Sequence, residues 1–327
     1  MNKEAFRIIF MGTPEFAVPS LKAIIDAGYS VPAVITAPDK PSGRGKKMTP
    51  PAIKVFAEEQ GIEVLQPVKL KDPIFLEELK ALNPHLQVVV AFRMLPQQVW
   101  NLPQFGTINL HAALLPQYRG AAPINHAVMN GESKTGLTTF FLDQEIDTGK
   151  IILRKEMEIG PNETAGELHD RMMVEGADIL LETIELIRLD KVKPLSQAEL
   201  LANVGQLKPA PKIFKEDCLI DWNEPGLSIF NKIRGLSPFP TAYSILETNE
   251  GETHLIKIYK TEFESTEMTD PPGSIRTDNK TFLKVAAPDG YIFLKELQLA
   301  GKKKLPINDF LRGFHPEEDW KFVQKQL

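Results

Sequence analysis

Arg7-Ile8-Ile9-Phe10-Met11-Gly12-Thr13-Pro14 decides the class of this chain. A short apolar run closed by Gly-Thr-Pro reads as a buried strand that ends in a turn. Phe16 to Ala27 follows as a helix, with Gly28 as its stop signal. The unit then repeats. Val31 to Thr36 reads as a strand and Ala52 to Gln60 as a helix that ends at Gly61. Ile62 to Leu65 reads as a strand and Pro73 to Leu82 as a helix. Leu86 to Phe92 is almost wholly apolar, as a strand buried on both faces should be. Gly106 to Leu110 is the next strand. This alternation predicts a doubly wound parallel sheet with helices on both sides.

Working outward, Leu137 to Leu142 and Lys150 to Met157 read as a hairpin added to that sheet. Ala165 to Leu189 reads as one long helix, with Leu168, Met172, Ile179, Ile184 and Ile187 near a single stripe. From Asp190 to Lys212 the pattern dissolves into Lys, Pro, Gln and Ala, the composition of a connector without a buried face. Beyond Asp221-Trp222 the chain alternates as strands do: Thr241 to Leu246, His254 to Tyr259, Phe282 to Ala286, Tyr291 to Gln298. Pro271-Pro272-Gly273 and Pro288-Asp289-Gly290 supply turns. A small, OB-like β-barrel is the expected second domain. The expected division is 1–189 for the catalytic α/β domain, 190–212 for a linker and 213–327 for the barrel.

A length of 327 residues favours two domains over one core. Hydrophobic content of 43% and charged content of 25% describe an ordinary globular protein. No run approaches the length of a membrane span, and Met1 to Met11 does not read as a signal peptide. The single cysteine, Cys218, fits a reducing cytoplasm and reads as a packed thiol rather than a nucleophile. With 38 basic and 43 acidic side chains the net charge is −5, so any binding of a polyanion must rest on local basic patches.

Some chemistry is excluded by spacing. The first turn, Gly12-Thr13-Pro14-Glu15, is not the Gly-x-Gly-x-x-Gly that a dinucleotide pyrophosphate requires. Gly43-Arg44-Gly45-Lys46-Lys47 does not space as a phosphate-binding P-loop. The six His residues show no ligand-like pairing, so no metal is expected. His126 and His169 fall within helices, and His85, His254 and His315 have no recognisable partner.

The chemistry that remains lies in Asn109-Leu110-His111-Ala112-Ala113-Leu114-Leu115-Pro116 and in Asp147-Thr148-Gly149. On a strand from Thr107 to His111, side chains 109 and 111 share a face. An amide and an imidazole side by side at a strand end suit acyl transfer, in which one group holds an oxyanion and another moves a proton. Arg119-Gly120-Ala121-Ala122-Pro123 adds a tightly turning loop. Taken alone, Asp147 reads equally well as an Asx turn.

Together, Asn109-x-His111, Leu-Leu-Pro-x-x-Arg-Gly-Ala-Ala-Pro and Asp147-Thr-Gly resemble the folate-dependent formyltransferase family. Ile8 to Pro14, Pro38 to Lys47 and Ile220-Asp221-Trp222 carry the same resemblance into both domains. Two positions depart from it: Ala113 stands where members commonly have Ser, and Arg93 where they have Gly. The resemblance implies transfer of a formyl group from 10-formyltetrahydrofolate to the α-amine of methionine on initiator tRNA, in the cytoplasm. It implies no metal, no membrane and no obligate protein partner. It places Ala113, Leu114, Leu115 and Pro116 beside the folate and makes Asn109, His111 and Asp147 catalytic, with either His111 or Asp147 as base. Apolar residues from Val88 to Phe92, with Leu95, are the expected wall of a pterin slot.

Pro38 to Lys47 reads as a mobile basic loop. Its Arg44, Lys46 and Lys47, with Lys208, Lys212 and Lys215 further on, are the expected track for tRNA. Lys302 to Lys304 extend that expected track. Two other functions compete: a formyltransferase for an amino-sugar nucleotide, and a formyl-folate-binding module without turnover. The basic loop argues against the first and the intact triad against the second.

Overall fold

The computed structural model describes residues 1–42, 47–201, 205–317 and 319–324. It divides into two compact units. The first comprises Met1–Gly120, Lys134–Glu158 and His169–Pro209, and the second Ala121–Ser133, Ile159–Leu168 and Ala210–Leu327. The second unit thus gathers two short segments that precede residue 189 in sequence.

The first unit is built on a seven-stranded sheet. Its strands are β1 (Ile8–Gly12), β2 (Ala33–Ile35), β5 (Glu63–Leu65), β6 (Leu86–Val90), β7 (Thr107–His111), β8 (Lys134–Phe141) and β9 (Ile151–Glu158). A separate antiparallel hairpin, β3 (Lys40–Ser42) and β4 (Lys47–Thr49), follows β2. The sheet order is β5-β2-β1-β6-β7-β8-β9. The first five strands run parallel, whereas β8 pairs antiparallel with β7 and β9 antiparallel with β8, as the added hairpin. The connecting helices are α1 (Val18–Asp26), α2 (Ala52–Glu59), α3 (Pro73–Ala81), α4 (Gln97–Trp100) and α5 (Pro123–Met129), of which α5 belongs to the second unit.

Every residue of β1 and β6 is buried, as continuous apolar runs in a covered parallel sheet must be. The expected helix over 16–27 begins instead as a 3-10 turn, Glu15–Ala17, because Pro14 and Pro19 bracket its entry. Residues 38–47 read as an irregular loop, yet their ends pair as β3 and β4. The Lys54 ammonium and the Gln66 amide both donate to the Asp39 carboxylate at the base of that hairpin. These bonds hold Asp39 below the usual carboxylate range.

Helix α6 (Ala165–Arg188) buries Leu168, Met172, Ile179, Ile184 and Ile187, the stripe expected from sequence. After it the chain is not a bare connector. Leu195 pairs with Ile151 through two backbone hydrogen bonds, and a short helix, α7 (Gln197–Leu201), follows with Gln197 buried.

The second unit is an antiparallel sheet curled towards closure. Its strands are β10 (Ala242–Glu247), β11 (Thr253–Ser265), β12 (Ile275–Thr277), β13 (Leu283–Ala287), β14 (Gly290–Leu299), β15 (Leu305–Pro306) and β16 (Lys321–Val323). The order is β12-β13-β14-β11-β10-β16, and a Ser274–Lys321 bridge brings the two edges together. Helices α8 (Gly226–Leu236) and α9 (Ile307–Leu311) are additions that the strand pattern did not announce. Inside lie Ile220, Trp222, Ile233, Ile256, Leu283, Ile292 and Phe310. Fully burying such aliphatic and aromatic side chains contributes about 1.5–3 kcal/mol each, which is what lets this barrel stand on a core of its own. No helix is long and apolar enough to cross a membrane among the described residues.

Candidate active site

Strand β7 ends at the site. Its pairing with β6 on one side and β8 on the other is regular, so Asn109 faces Val89 and Phe140 while His111 faces Thr138. Strand alternation then puts the Asn109 and His111 side chains on one face. Asn109 is half-buried, and among the described residues nothing hydrogen-bonds its side-chain amide. That leaves both amide hydrogens available to a ligand oxygen.

His111 is buried, with 5% of its surface exposed, and its ring lies edge-on to Phe140 at a centroid distance of 6.5 Å. Nε2 lies 2.9 Å from the carbonyl oxygen of Tyr118. A carbonyl only accepts, so Nε2 carries the proton and Nδ1 of the neutral ring holds the lone pair. Nδ1 faces Oδ2 of Asp147 at 3.8 Å, beyond hydrogen-bond length. Backbone thus fixes the ring, and Asp147 acts on it through space. Burial pushes the imidazole below its ordinary value, although the Asp147 charge and the Tyr118 carbonyl both oppose that shift. That shift favours the neutral ring at neutral pH.

Asp147 lies in the connection between β8 and β9, with φ +56, in the left-handed region. Its Oδ2 accepts from the Gly120 backbone N–H at 2.9 Å. Upstream, the Asp143 carboxylate accepts from Glu145 N and Thr148 Oγ1, which folds the connection on itself. Gly149 closes it, and a Cβ there would meet the Phe141 carbonyl oxygen at 1.7 Å. Asp147 is therefore not a free Asx turn; it is turned inward to the imidazole.

Residues 113–116 form the loop beyond His111. Ala113, Leu115 and Pro116 are buried and Leu114 is partly so. Thr138 pins this loop: its hydroxyl donates to the Ala113 carbonyl at 2.6 Å and accepts from the Leu115 N–H at 3.2 Å. Leu115, Phe140 and Ile151 form a small apolar cluster beneath. Sequence reading missed Thr138 and also Gln197, and neither carries a local signal, because each acts on residues distant in the chain.

Beside the carboxyl end of β6 lies a cavity of about 850 Å³ lined by Leu70, Lys71, Arg93, Leu95, Pro96 and Asn101 among others. The Arg93 guanidinium donates to the carbonyls of Pro67 and Val68 and is drawn below its ordinary value by burial. This side chain therefore ties the wall of that cavity to the loop at Pro67 and Val68.

Of the expected tRNA track, Arg44 and Lys46 lie outside the described residues. Lys47 is exposed on β4. Lys212 lies over the Phe214 ring at 5.4 Å. Lys215 stands at the N-terminus of a 3-10 turn, Glu216–Cys218. The Lys208 backbone bonds both the Gln117 side chain and the Tyr118 N–H. His85, which had no partner in sequence, accepts from the Arg7 N–H and stacks on Phe6, a structural role.

The formyl transferase family matches residues 6–184, and the formyl transferase C-terminal domain matches 212–315. The methionyl-tRNA formyltransferase of Parabacteroides distasonis is 52% identical, with 96% of this chain and 97% of that protein covered. That of Bacteroides thetaiotaomicron is 50% identical, covering 98% and 99%. Among solved structures, an N-formyltransferase from Helicobacter canadensis in complex with folinic acid and dTDP-3-aminofucose aligns with a TM-score of 0.62. Its identity is 20%, over 93% of this chain and 100% of that one, so it speaks for the fold alone. HypX from Aquifex aeolicus in complex with tetrahydrofolic acid aligns at 0.60 with 18% identity, over 98% of this chain and 51% of its own. Near-complete coverage at half identity, on a fold that carries the Asn-His-Asp arrangement, has one reading: the chain belongs to the formyl transferase family, among the methionyl-tRNA formyltransferases.

Proposed function

We propose that the cleft beyond β6 and β7 transfers the formyl group of 10-formyltetrahydrofolate to the α-amine of methionine on initiator tRNA. The observation that carries this reading is the buried neutral His111, its Nδ1 lone pair turned toward the Asp147 carboxylate beside an unpartnered Asn109 amide. The neutral amine attacks the formyl carbon, and the carbonyl electron pair moves onto oxygen. Asn109 donates to that oxyanion. The amine's proton passes to His111 Nδ1, and Asp147 stabilises the imidazolium that results. The proton then goes to N10 as the carbon–N10 bond breaks, which restores the neutral ring.

Ala113, Leu114, Leu115 and Pro116 form the rim against which the folate lies. Arg44, Lys46, Lys47, Lys208, Lys212 and Lys215 bind the tRNA backbone. In this division residues 1–189 carry the reacting groups, 190–212 join the two domains while bracing the first, and the 213–327 barrel holds tRNA.

Formylation of charged initiator and elongator methionine tRNAs, with an amino-sugar nucleotide as control, tests the reading. Transfer to the initiator alone is the expected result; transfer to the sugar nucleotide would overturn it. Arg44→Ala should weaken turnover on tRNA far more than folate binding, most of all at low salt, because one phosphate contact fewer makes the salt dependence shallower. Unchanged activity of that variant across a salt series would remove the loop from the acceptor site.

A further inference from the structure

We infer that Gln197 is a positioning residue for the catalytic centre, clamping the Asp147 connection to the Arg119 loop. It opens α7, far from the triad in sequence, and only 3% of its surface is exposed. Its amide makes four hydrogen bonds. Nε2 donates to the carbonyls of Asp147 at 2.8 Å and Gly149 at 2.9 Å. Oε1 accepts from Arg119 Nε at 3.1 Å and Nη2 at 2.6 Å. One side chain thus satisfies two carbonyls of the loop bearing Asp147 and holds the guanidinium next to Gly120, whose N–H grips the Asp147 carboxylate.

Gln197 is itself anchored. Leu195 pairs reciprocally with Ile151 at the sheet edge, at 2.9 and 2.8 Å, so the backbone two residues before Gln197 is fixed to β9. Further on, Lys208 pairs with the loop behind His111: its N–H donates to Gln117 Oε1 at 2.7 Å and its carbonyl accepts from Tyr118 N–H at 2.7 Å. Residues 195 and 197 brace the Asp147 loop, and residue 208 braces the Tyr118 loop whose carbonyl holds the imidazole. The stretch that joins the catalytic domain to the barrel is therefore part of the catalytic framework.

This inference rests on the proposed roles of His111 and Asp147. Without Gln197 the left-handed Asp147 connection loses its only side-chain donor among the described residues to those two carbonyls, and the carboxylate drifts from Nδ1. A displacement of about 1 Å costs on the order of a hundredfold in rate. The groups that face His111 are Asp147, the Phe140 ring and the Tyr118 carbonyl, with the Arg119 charge on the adjoining loop.

Gln197→Met keeps the volume and adds no charge. It should lower kcat about ten- to a hundredfold, leave KM for the formyl donor within about twofold, and move the acidic limb of the pH–rate profile lower, since His111 loses a partner that favours its charged form. Gln197→Glu retains the acceptor for Arg119 and loses both donors; it should be comparably impaired in kcat. A folded Met variant with normal kcat and an unmoved limb overturns the inference, and so does full activity in the Glu variant. If neither variant folds, the residue is a fold determinant and the positioning role falls. Asp147→Asn, run alongside, separates the two levels: full activity there sinks the proposed mechanism itself, whereas loss there with normal Gln197 variants sinks only the clamp.

Discussion

Asn109 and His111 are placed by the backbone of a central strand, whereas Asp147 is placed by other residues' side chains and amides. Strand β7 is hydrogen-bonded on both edges, so the Asn109 and His111 side chains inherit their direction from the sheet. Asp147 has no such support. Its left-handed backbone, the Gly120 N–H, the Asp143 turn and Gln197 together replace the missing ladder. The difference teaches where each half can be broken. A strand-borne group fails by losing its own atoms; a loop-borne group fails whenever any brace is lost.

The largest effects are expected on the strand side. Asn109→Ala should cut turnover roughly a hundredfold or more, the scale of one lost oxyanion donor. His111→Ala should cost at least as much, with unfolding midpoints little changed for the half-exposed Asn109 variant. Near-normal turnover in either folded protein would remove that residue from the mechanism.

On the loop side Gly149→Ala tests bracing without touching a functional group. Its Cβ cannot coexist with the Phe141 carbonyl, so the connection must shift. Urea unfolding should show a loss of about 1–3 kcal/mol, the scale of overpacking, and kcat should fall with it. Unaltered kcat would mean that the Asp147 position tolerates movement, which the account denies.

A smaller effect is expected at Thr138→Val. It strands the Ala113 carbonyl and Leu115 N–H, at a cost of about 1–3 kcal/mol, and should raise KM for the formyl donor with kcat largely retained. The smallest is Lys212→Ala, outside both halves. It should make the salt dependence of tRNA binding shallower by about one phosphate contact and leave single-turnover transfer rates unchanged at saturation.

The same asymmetry governs how much of the molecule is legible in its sequence. Continuous burial wrote β1 and β6 into runs such as Ile8 to Met11, and the Asn109-x-His111 spacing follows from strand alternation. Asp147 was visible only as a local turn or through family resemblance, because its orientation depends on Gly120 and Gln197, remote in sequence. Residues 195–201 read as connector because their Leu195 bridge and Gln197 bonds are long-range and involve no periodic apolar face. Helix α8 escaped for another reason: Gly226, Ser228 and Asn231 dilute its pattern, although Ile229, Phe230 and Ile233 are buried.

The pH dependence joins the two halves. In the proposed mechanism His111 is neutral when it takes the proton, and burial places its titration below the ordinary imidazole value. Turnover should therefore be flat near neutral pH and fall only in acid. Asp147→Asn removes a charge that favours the protonated ring, so its limb should lie lower still, and a limb that moves upward would refute the through-space coupling across 3.8 Å.

A double-mutant cycle on single-turnover formyl transfer to charged initiator tRNA, with His111→Ala, Asp147→Ala and the combined variant, tests most directly whether strand and loop work as one centre. Groups that act as a unit are strongly non-additive. The account predicts that the double variant is no slower than the worse single variant. Losses that multiply would show two independent contributions and contradict it.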